Sequence, residues 1–223
     1  MIRLKDVKAG YKMNMVLDIP DLEFEPGRRY ALIGGNGCGK TTLLRLLAGV
    51  IAPQAGQIFN PYCTAMAYMP QTAYAFSFSV RENMRIAYGK TDPGEGGGME
   101  VLKSVGIDHL ISTRGNRLSG GETQRLAFAR VIAGPHKLLL LDEPTASADI
   151  RGMDLIEKVL IDYAEQTSCT LIFSTHSPAQ ALRLSDEVLF LENGTVAEKG
   201  ESQSVIRHPK NESLRIFLKH WVI

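Results

Sequence analysis

The run Gly34-Gly35-Asn36-Gly37-Cys38-Gly39-Lys40-Thr41-Thr42 has the composition of a phosphate cradle. Glycines let a backbone curl until successive N–H groups point inward at phosphate oxygens. A lysine at this spacing supplies a full positive charge for terminal phosphates, and a following threonine hydroxyl suits a magnesium ion. A second candidate set ends an apolar run, Leu138-Leu139-Leu140-Leu141-Asp142-Glu143. Neighbouring side chains on an extended chain point in different directions. Asp142 and Glu143 can therefore divide the work, one at a metal and the other as base for an attacking water. A third set, Leu118-Ser119-Gly120-Gly121-Glu122, places a hydroxyl and two glycines at the start of a helix. That is a second anion-binding device. One chain rarely needs two such devices for one phosphate group, and two chains meeting head to tail would resolve the redundancy.

Each set has a plainer alternative. The first could be a glycine-rich turn with an incidental lysine, the second an acid pair before the turn at Pro144, the third an ordinary serine N-cap. The surrounding elements weigh against the first two. Tyr30-Ala31-Leu32-Ile33 reads as a buried strand that runs into the cradle, and residues 41–48 carry Leu43, Leu44, Leu46 and Leu47 at helical spacing, stopped by Gly49. Strand, glycine-rich loop and helix in that order is the context phosphate binding needs. The leucines of 137–141 form the continuous apolar run of a strand buried on both faces.

Further strands are expected at 2–7 by alternation, 16–24 as an edge strand because Pro20 interrupts it, 65–69, 170–174 and 188–191. Asn193-Gly194 marks a hairpin turn. Helical patterns cover 80–88, 100–105, 122–133 and 154–164, with a loop at 89–98 and one or two short helices in 202–223. Strands alternating with helices argue for an α/β fold with a mainly parallel sheet. The expected organisation is a single domain over 1–223, with a helical insert at about 72–135.

Composition narrows the class. Lys and Arg total 25 against 24 Asp and Glu, a net charge of +1, so no general basic field draws the chain to nucleic acid or anionic lipid. Hydrophobic residues at 44% and charged residues at 22% fit a globular chain and exclude a disordered one. The cysteines, Cys38, Cys63 and Cys169, are odd in number and sparse, which argues against a disulfide framework. No secretory segment starts the sequence, Ile2 excludes an N-myristoyl glycine, and no apolar run approaches the roughly 20 residues a membrane span requires. A cytoplasmic chain, or one peripheral on the cytoplasmic face of a membrane, is expected.

Cradle and acid pair together describe a P-loop NTPase, a class that includes small-molecule kinases. The third set narrows it further, because a kinase has no use for residues 118–122. The sequence resembles the nucleotide-binding domain of ATP-binding cassette (ABC) ATPases over almost its whole length, with the motifs in the family's order. Residues 34–42 are its Walker A, 118–122 its signature sequence and 138–143 its Walker B with the following glutamate. Gln71 resembles the Q-loop glutamine, Asp149 the D-loop aspartate and His176 the switch histidine. Tyr11 resembles the aromatic that stacks on adenine.

The resemblance implies a P-loop core with a mainly parallel sheet, an N-terminal antiparallel β subdomain and a helical insert carrying the signature. Two chains would sandwich ATP and Mg2+, with Gly34, Asn36, Gly37, Cys38, Gly39, Lys40, Thr41 and Thr42 of one facing Ser119, Gly120 and Gly121 of the other. Thr41, Gln71 and Asp142 are the implied metal ligands, Glu143 the general base, and His176 and Gln71 its catalytic companions. The load would be a separate transmembrane permease subunit, with a solute-binding protein if the system imports. Tyr74, Phe76 and Phe78 would floor a groove for the permease or else pack inside the insert.

A soluble ABC ATPase acting on ribosomes or DNA is the alternative, but the sequence lacks the second cassette or coiled-coil insert of those relatives, and no nucleic-acid partner is expected. The compact tail after His176 is somewhat similar to oxyanion importers of tungstate or phosphate type. Three positions depart from the family pattern: Gly35 for Pro, Ala148 for Leu, and Cys38 for Ser. The Cys38 thiol, close to Lys40 and a helix start, is either activated or an inert small residue. His109, His136, His208 and His220 are expected on the surface.

Overall fold

The computed structural model describes residues 1–11, 14–89 and 95–221, with backbone alone at 95–97. They form two compact units, one of Met1–Tyr68, Lys137–Glu143 and Ser168–Ile223 and the other of Met69–His136 and Pro144–Thr167.

In the first unit, β1 (Ile2–Tyr11) is the middle of a three-stranded sheet of order β2-β1-β4, between β2 (Asn14–Phe24) and β4 (Ala55–Phe59), both antiparallel to it. Strict alternation from Ile2 and Leu4 would send Asp6 into the core. Instead Asp6 takes φ 51, the register slips between Lys5 and Lys8, and Val7 and Ala9 are buried. A bulge moves the apolar set back to the inner face. It brings the backbone close to Gly56, where a Cβ would stand 2.2 Å from Asp6 O. Pro20 sits in β2, an edge strand as expected, where its missing N–H leaves no broken ladder. Strand β4 was not legible in the sequence, because only Ile58 of Ala-Gly-Gln-Ile-Phe is even partly shielded among its side chains.

The larger sheet has the order β5-β6-β7-β3-β8-β9, built from β3 (Arg29–Ile33), β5 (Met66–Met69), β6 (Leu138–Asp142), β7 (Thr170–Ser174), β8 (Glu187–Glu192) and β9 (Thr195–Glu201). Strands β6, β7, β3 and β8 run parallel, and β9 returns antiparallel to β8. The hairpin turn is Asn193 (φ 47) and Gly194 (φ 80), as the Asn-Gly pair predicts. Every residue of β6 and β7 is buried, which is why their sequences read as apolar runs without alternation.

Helix α1 (Lys40–Leu47) buries Leu43, Leu44, Leu46 and Leu47 in one core with Leu4, Leu17, Phe24, Leu32, Leu140, Ile172 and Leu189. Burying each such leucine stabilises by roughly 1.5–3 kcal/mol, and this is what holds the first turn of α1 at the end of β3.

In the second unit lie α2 (Val80–Tyr88), α3 (Glu95–Ser104), α4 (Gly120–Val131) and α5 (Ile150–Thr167). Helix α3 starts inside the expected 89–98 loop, through Gly96, Gly97 and Gly98, residues that disfavour a helix. Residues 90–94 of that expected loop lie outside the described residues. The remaining helices, α6 (Pro178–Leu184), α7 (Ser202–Arg207) and α8 (Glu212–Lys219), belong to the first unit, and the last two supply the helices expected in the tail. Among the described residues no helix is long and apolar enough to cross a membrane.

Candidate functional site

Parallel strands deliver their carboxyl ends to one edge, and a crevice there is where open α/β sheets bind ligands. The registers Leu32↔Ser174 and Asp142↔Ser174 put the ends of β3, β7 and β6 side by side. The cradle leaves β3, the acid pair ends β6, and His176 follows β7.

The cradle turns through Gly34 (φ 146), Gly37 (φ 76) and Gly39 (φ 111). At Gly34 a Cβ would stand 2.3 Å from Leu191 O, so close approach as well as φ demands glycine. Gly35, Asn36 and Gly37 are exposed, and Cys38, Gly39, Lys40 and Thr42 are buried. Helix α1 has Gly39 at its N-cap and no side-chain cap. Helices α2, α4, α6 and α8 all carry one. The first N–H groups of α1 therefore stay available to an anion, beside the positive end of the helix. Lys40 Nζ donates to Gly34 O at 2.8 Å and Gly35 O at 3.1 Å, which folds the ammonium over the loop. Cys38 Sγ lies 3.9 Å from the same ammonium and is 8% exposed. A cavity of about 420 Å³ reaches from Asn36 and Cys38 to Phe190 and Phe217 along the cradle's flank.

Asp142 is 1% exposed. Its Oδ1 accepts from Ser174 Oγ at 2.7 Å, and its Oδ2 has no hydrogen-bond partner among the described residues. A buried carboxylate oxygen without a partner is costly, and a hard divalent cation is the group that would satisfy it. Magnesium at nucleotide sites takes one or two protein oxygens together with substrate phosphates. Asp142 and the Thr41 hydroxyl fit that role.

Glu143 takes φ 50, an αL backbone that costs a side-chain-bearing residue about 1–2 kcal/mol. Its N–H donates to Ser174 Oγ at 2.9 Å, and its Oε1 lies 2.7 Å from His176 Nε2. The two acids diverge, Asp142 into the buried end of β6 and Glu143 to His176, but through the αL turn at Glu143 and not through the extended backbone that the sequence suggests. Ser174 was missed by the sequence reading. Its only signal was a hydroxyl ending an otherwise apolar strand, two residues before His176.

Tyr11 is exposed, and its hydroxyl accepts from Arg45 Nη1 at 3.0 Å, a partner the sequence did not announce. The hydrogen bond to Tyr11, ahead of the interaction with Tyr68, raises the Arg45 pKa above its ordinary value.

The second unit holds the remaining candidates. Gln71 is exposed in the bend after β5. Ser119 caps α4 in a reciprocal box: its Oγ accepts from Glu122 N at 3.4 Å, and Glu122 Oε2 accepts from Ser119 N at 2.7 Å and Oγ at 2.8 Å. The bonds from the Ser119 backbone and hydroxyl hold the Glu122 carboxyl below its usual range. A Cβ on Gly120 would meet nothing within 4 Å, so packing within the chain does not demand glycine there. Asp149 Oδ1 accepts from Gly152 N at 2.8 Å and lies 3.7 Å from Arg125 Nη1.

Tyr74 (61% exposed) and Phe78 (53%) flank a half-buried Phe76, which stacks under Arg130 at 4.6 Å. The buried Asn83 holds this segment by bonding Phe76 N, Phe76 O, Phe78 O and Ser79 O. Tyr74 and Phe78 are exposed but their rings lie against Phe76, at 5.3 Å and 6.5 Å between centroids, and Phe76 is the most buried of the three. His109, His208 and His220 are exposed as expected. His136 is not fully on the surface: it is half-buried, and burial lowers its pKa.

Comparison with known proteins agrees with this geometry. The family model described as ABC transporter matches residues 17–146. The tungstate uptake system ATP-binding protein of Peptoclostridium acidaminophilum is 39% identical, over 88% of this chain and 97% of its own. A zinc import ATP-binding protein of Halorhodospira halophila is 32% identical, over 96% of this chain and 82% of its own. A solved dimeric ATP-binding cassette in a post-hydrolysis state, bound to ADP and phosphate, superposes with a TM-score of 0.82 at 23% identity, over 91% of this chain and 99% of that one, and shares the fold. The chain belongs to the ABC transporter family, and it is an ATP-binding ATPase with a P-loop core.

Proposed function

We propose that this chain is the ATP-hydrolysing subunit of an importer, working in pairs on the cytoplasmic face of a membrane against a separate permease. The observation that carries the proposal is the exposed aromatic ledge of Tyr74 and Phe78, held in place by Asn83 and continuous with the Gln71 bend. Exposed aromatics on a fixed backbone suit a protein contact. The import names of the relatives support the direction of transport, and the tungstate relative supports an oxyanion as the substrate class.

In the mechanism we infer, the uncapped first turn of α1 and Lys40 bind the ATP phosphates. Magnesium, held by Thr41 and Asp142, would neutralise phosphate charge. Glu143 accepts the proton of the attacking water, and His176 orients that carboxylate and contacts the γ-phosphate. Tyr11 stacks on the adenine. Ser119, Gly120 and Gly121 of a second copy close the site. Unconstrained Gly120 supports this, since the missing side chain leaves room for an approaching phosphate. ATP then favours the closed pair by differential affinity, and hydrolysis releases it. A solute-binding protein would deliver the cargo outside.

The test is affinity purification from native membranes. Recovery of a polytopic membrane protein with the wild type, and its loss in Tyr74→Ser/Phe78→Ser with ATP binding intact, is the expected result. Recovery of ribosomes or DNA in its place, or an unchanged membrane partner in the double variant, overturns the proposal.

A further inference from the structure

The geometry points to Ser174 as a positioning residue that sets both carboxylates of the hydrolytic site through one hydroxyl. The inference rests on Asp142 being the metal carboxylate of the proposed mechanism.

A serine hydroxyl has one proton to give and lone pairs to receive. Ser174, fully buried at the end of β7, donates to Asp142 Oδ1 at 2.7 Å and accepts from Glu143 N at 2.9 Å. The first bond fixes the rotation of the Asp142 carboxylate, which leaves Oδ2 as its open oxygen. The second pins the peptide joining the two acids while Glu143 holds φ 50, a backbone that persists only when its surroundings over-determine it. With that peptide fixed, the Glu143 side chain leaves toward His176, where Oε1 meets Nε2 at 2.7 Å. His176 lies two residues beyond Ser174 on the same chain segment, so base, base partner and metal carboxylate share one anchor.

A residue with only a packing role would leave the metal affinity alone. Hydrogen-bond partners behind a metal ligand typically change metal affinity or activity by about 10- to 100-fold when removed.

The experiment compares wild type, Ser174→Ala, Ser174→Thr and Asp142→Asn. Three quantities are read: Mn2+ affinity of the ADP complex by electron paramagnetic resonance, binding of a fluorescent ATP analogue in EDTA, and kcat with KM. Ser174→Ala should weaken Mn2+ binding about tenfold and lower kcat about 10- to 100-fold. Its metal-free nucleotide binding should stay within about twofold of wild type, and Ser174→Thr, which keeps the hydroxyl, should recover most of both losses. Mn2+ affinity and kcat of Ser174→Ala within about twofold of wild type overturn the assignment, as does an equal loss in EDTA that Ser174→Thr fails to rescue. Asp142→Asn separates the two levels. Unchanged Mn2+ binding there removes the metal reading itself, whereas its loss beside a normal Ser174→Ala removes only the role of Ser174.

Discussion

Replacing Glu143 with glutamine takes away a proton acceptor and little else. Glutamine has the same length, and its amide oxygen can accept the His176 bond that Glu143 Oε1 accepts at 2.7 Å. The φ of 50 at this position is unfavourable to both residues alike. A hydrogen bond to a charged group contributes about 1.5–3 kcal/mol and one to a neutral group about 0.5–1.5, so the altered contact costs folding about 1 kcal/mol. Catalysis should suffer far more. A positioned general base contributes about 10²–10⁴ in rate, which at about 1.36 kcal/mol per decade is about 3–5 kcal/mol of transition-state stabilisation. The expected result is a kcat lowered about 100- to 10,000-fold with ATP affinity held within about threefold, and closed pairs accumulating in ATP. Phosphate release at saturating Mg-ATP gives the first quantity, equilibrium binding of a fluorescent analogue the second, and light scattering the third. A kcat within about tenfold of wild type would remove Glu143 from the role of base. Parallel collapse of turnover and affinity would make it a structural residue instead.

Other expectations follow from single contacts. Gly34→Ala forces a Cβ to 2.3 Å from Leu191 O at φ 146, so ATP binding and thermal stability should fall together. Gly120→Ala meets nothing within 4 Å, so its melting temperature should match wild type while ATP turnover drops if a second copy must approach there. Glu143→Gly should be more stable than Glu143→Ala by about 1 kcal/mol, because both lose the carboxylate and only glycine relieves the αL backbone; equal melting temperatures would refute the strain. Burial holds the His136 pKa below its ordinary 6.5. As pH falls the unfolded chain binds that proton first, so this stability is present above about 6.5 and lost toward the folded pKa. Thermal unfolding at about pH 7.5 and pH 5.5 should show a drop that His136→Gln flattens.

The sequence alone carried the glycine pattern of the cradle between strand and helix, the acid pair closing the apolar run of β6 and the parallel α/β frame. Each of these is local: a glycine pattern between a strand and a helix, an apolar run closed by two acids, and strands alternating with helices. The edge position of β2 was legible for the same reason, because Pro20 cannot donate. Tertiary structure decided what depends on residues far apart in the chain. Ser174 reaches Asp142 and Glu143 only because β7 pairs with β6 in the register Asp142↔Ser174. The αL turn of Glu143 has no glycine to announce it, and the Asp6 bulge is visible only once β4 lies beside β1. Helix α3 forms through glycines that local propensity would leave as a loop. Residue types thus set which groups can do chemistry, and sheet register set which of their oxygens are left open to do it.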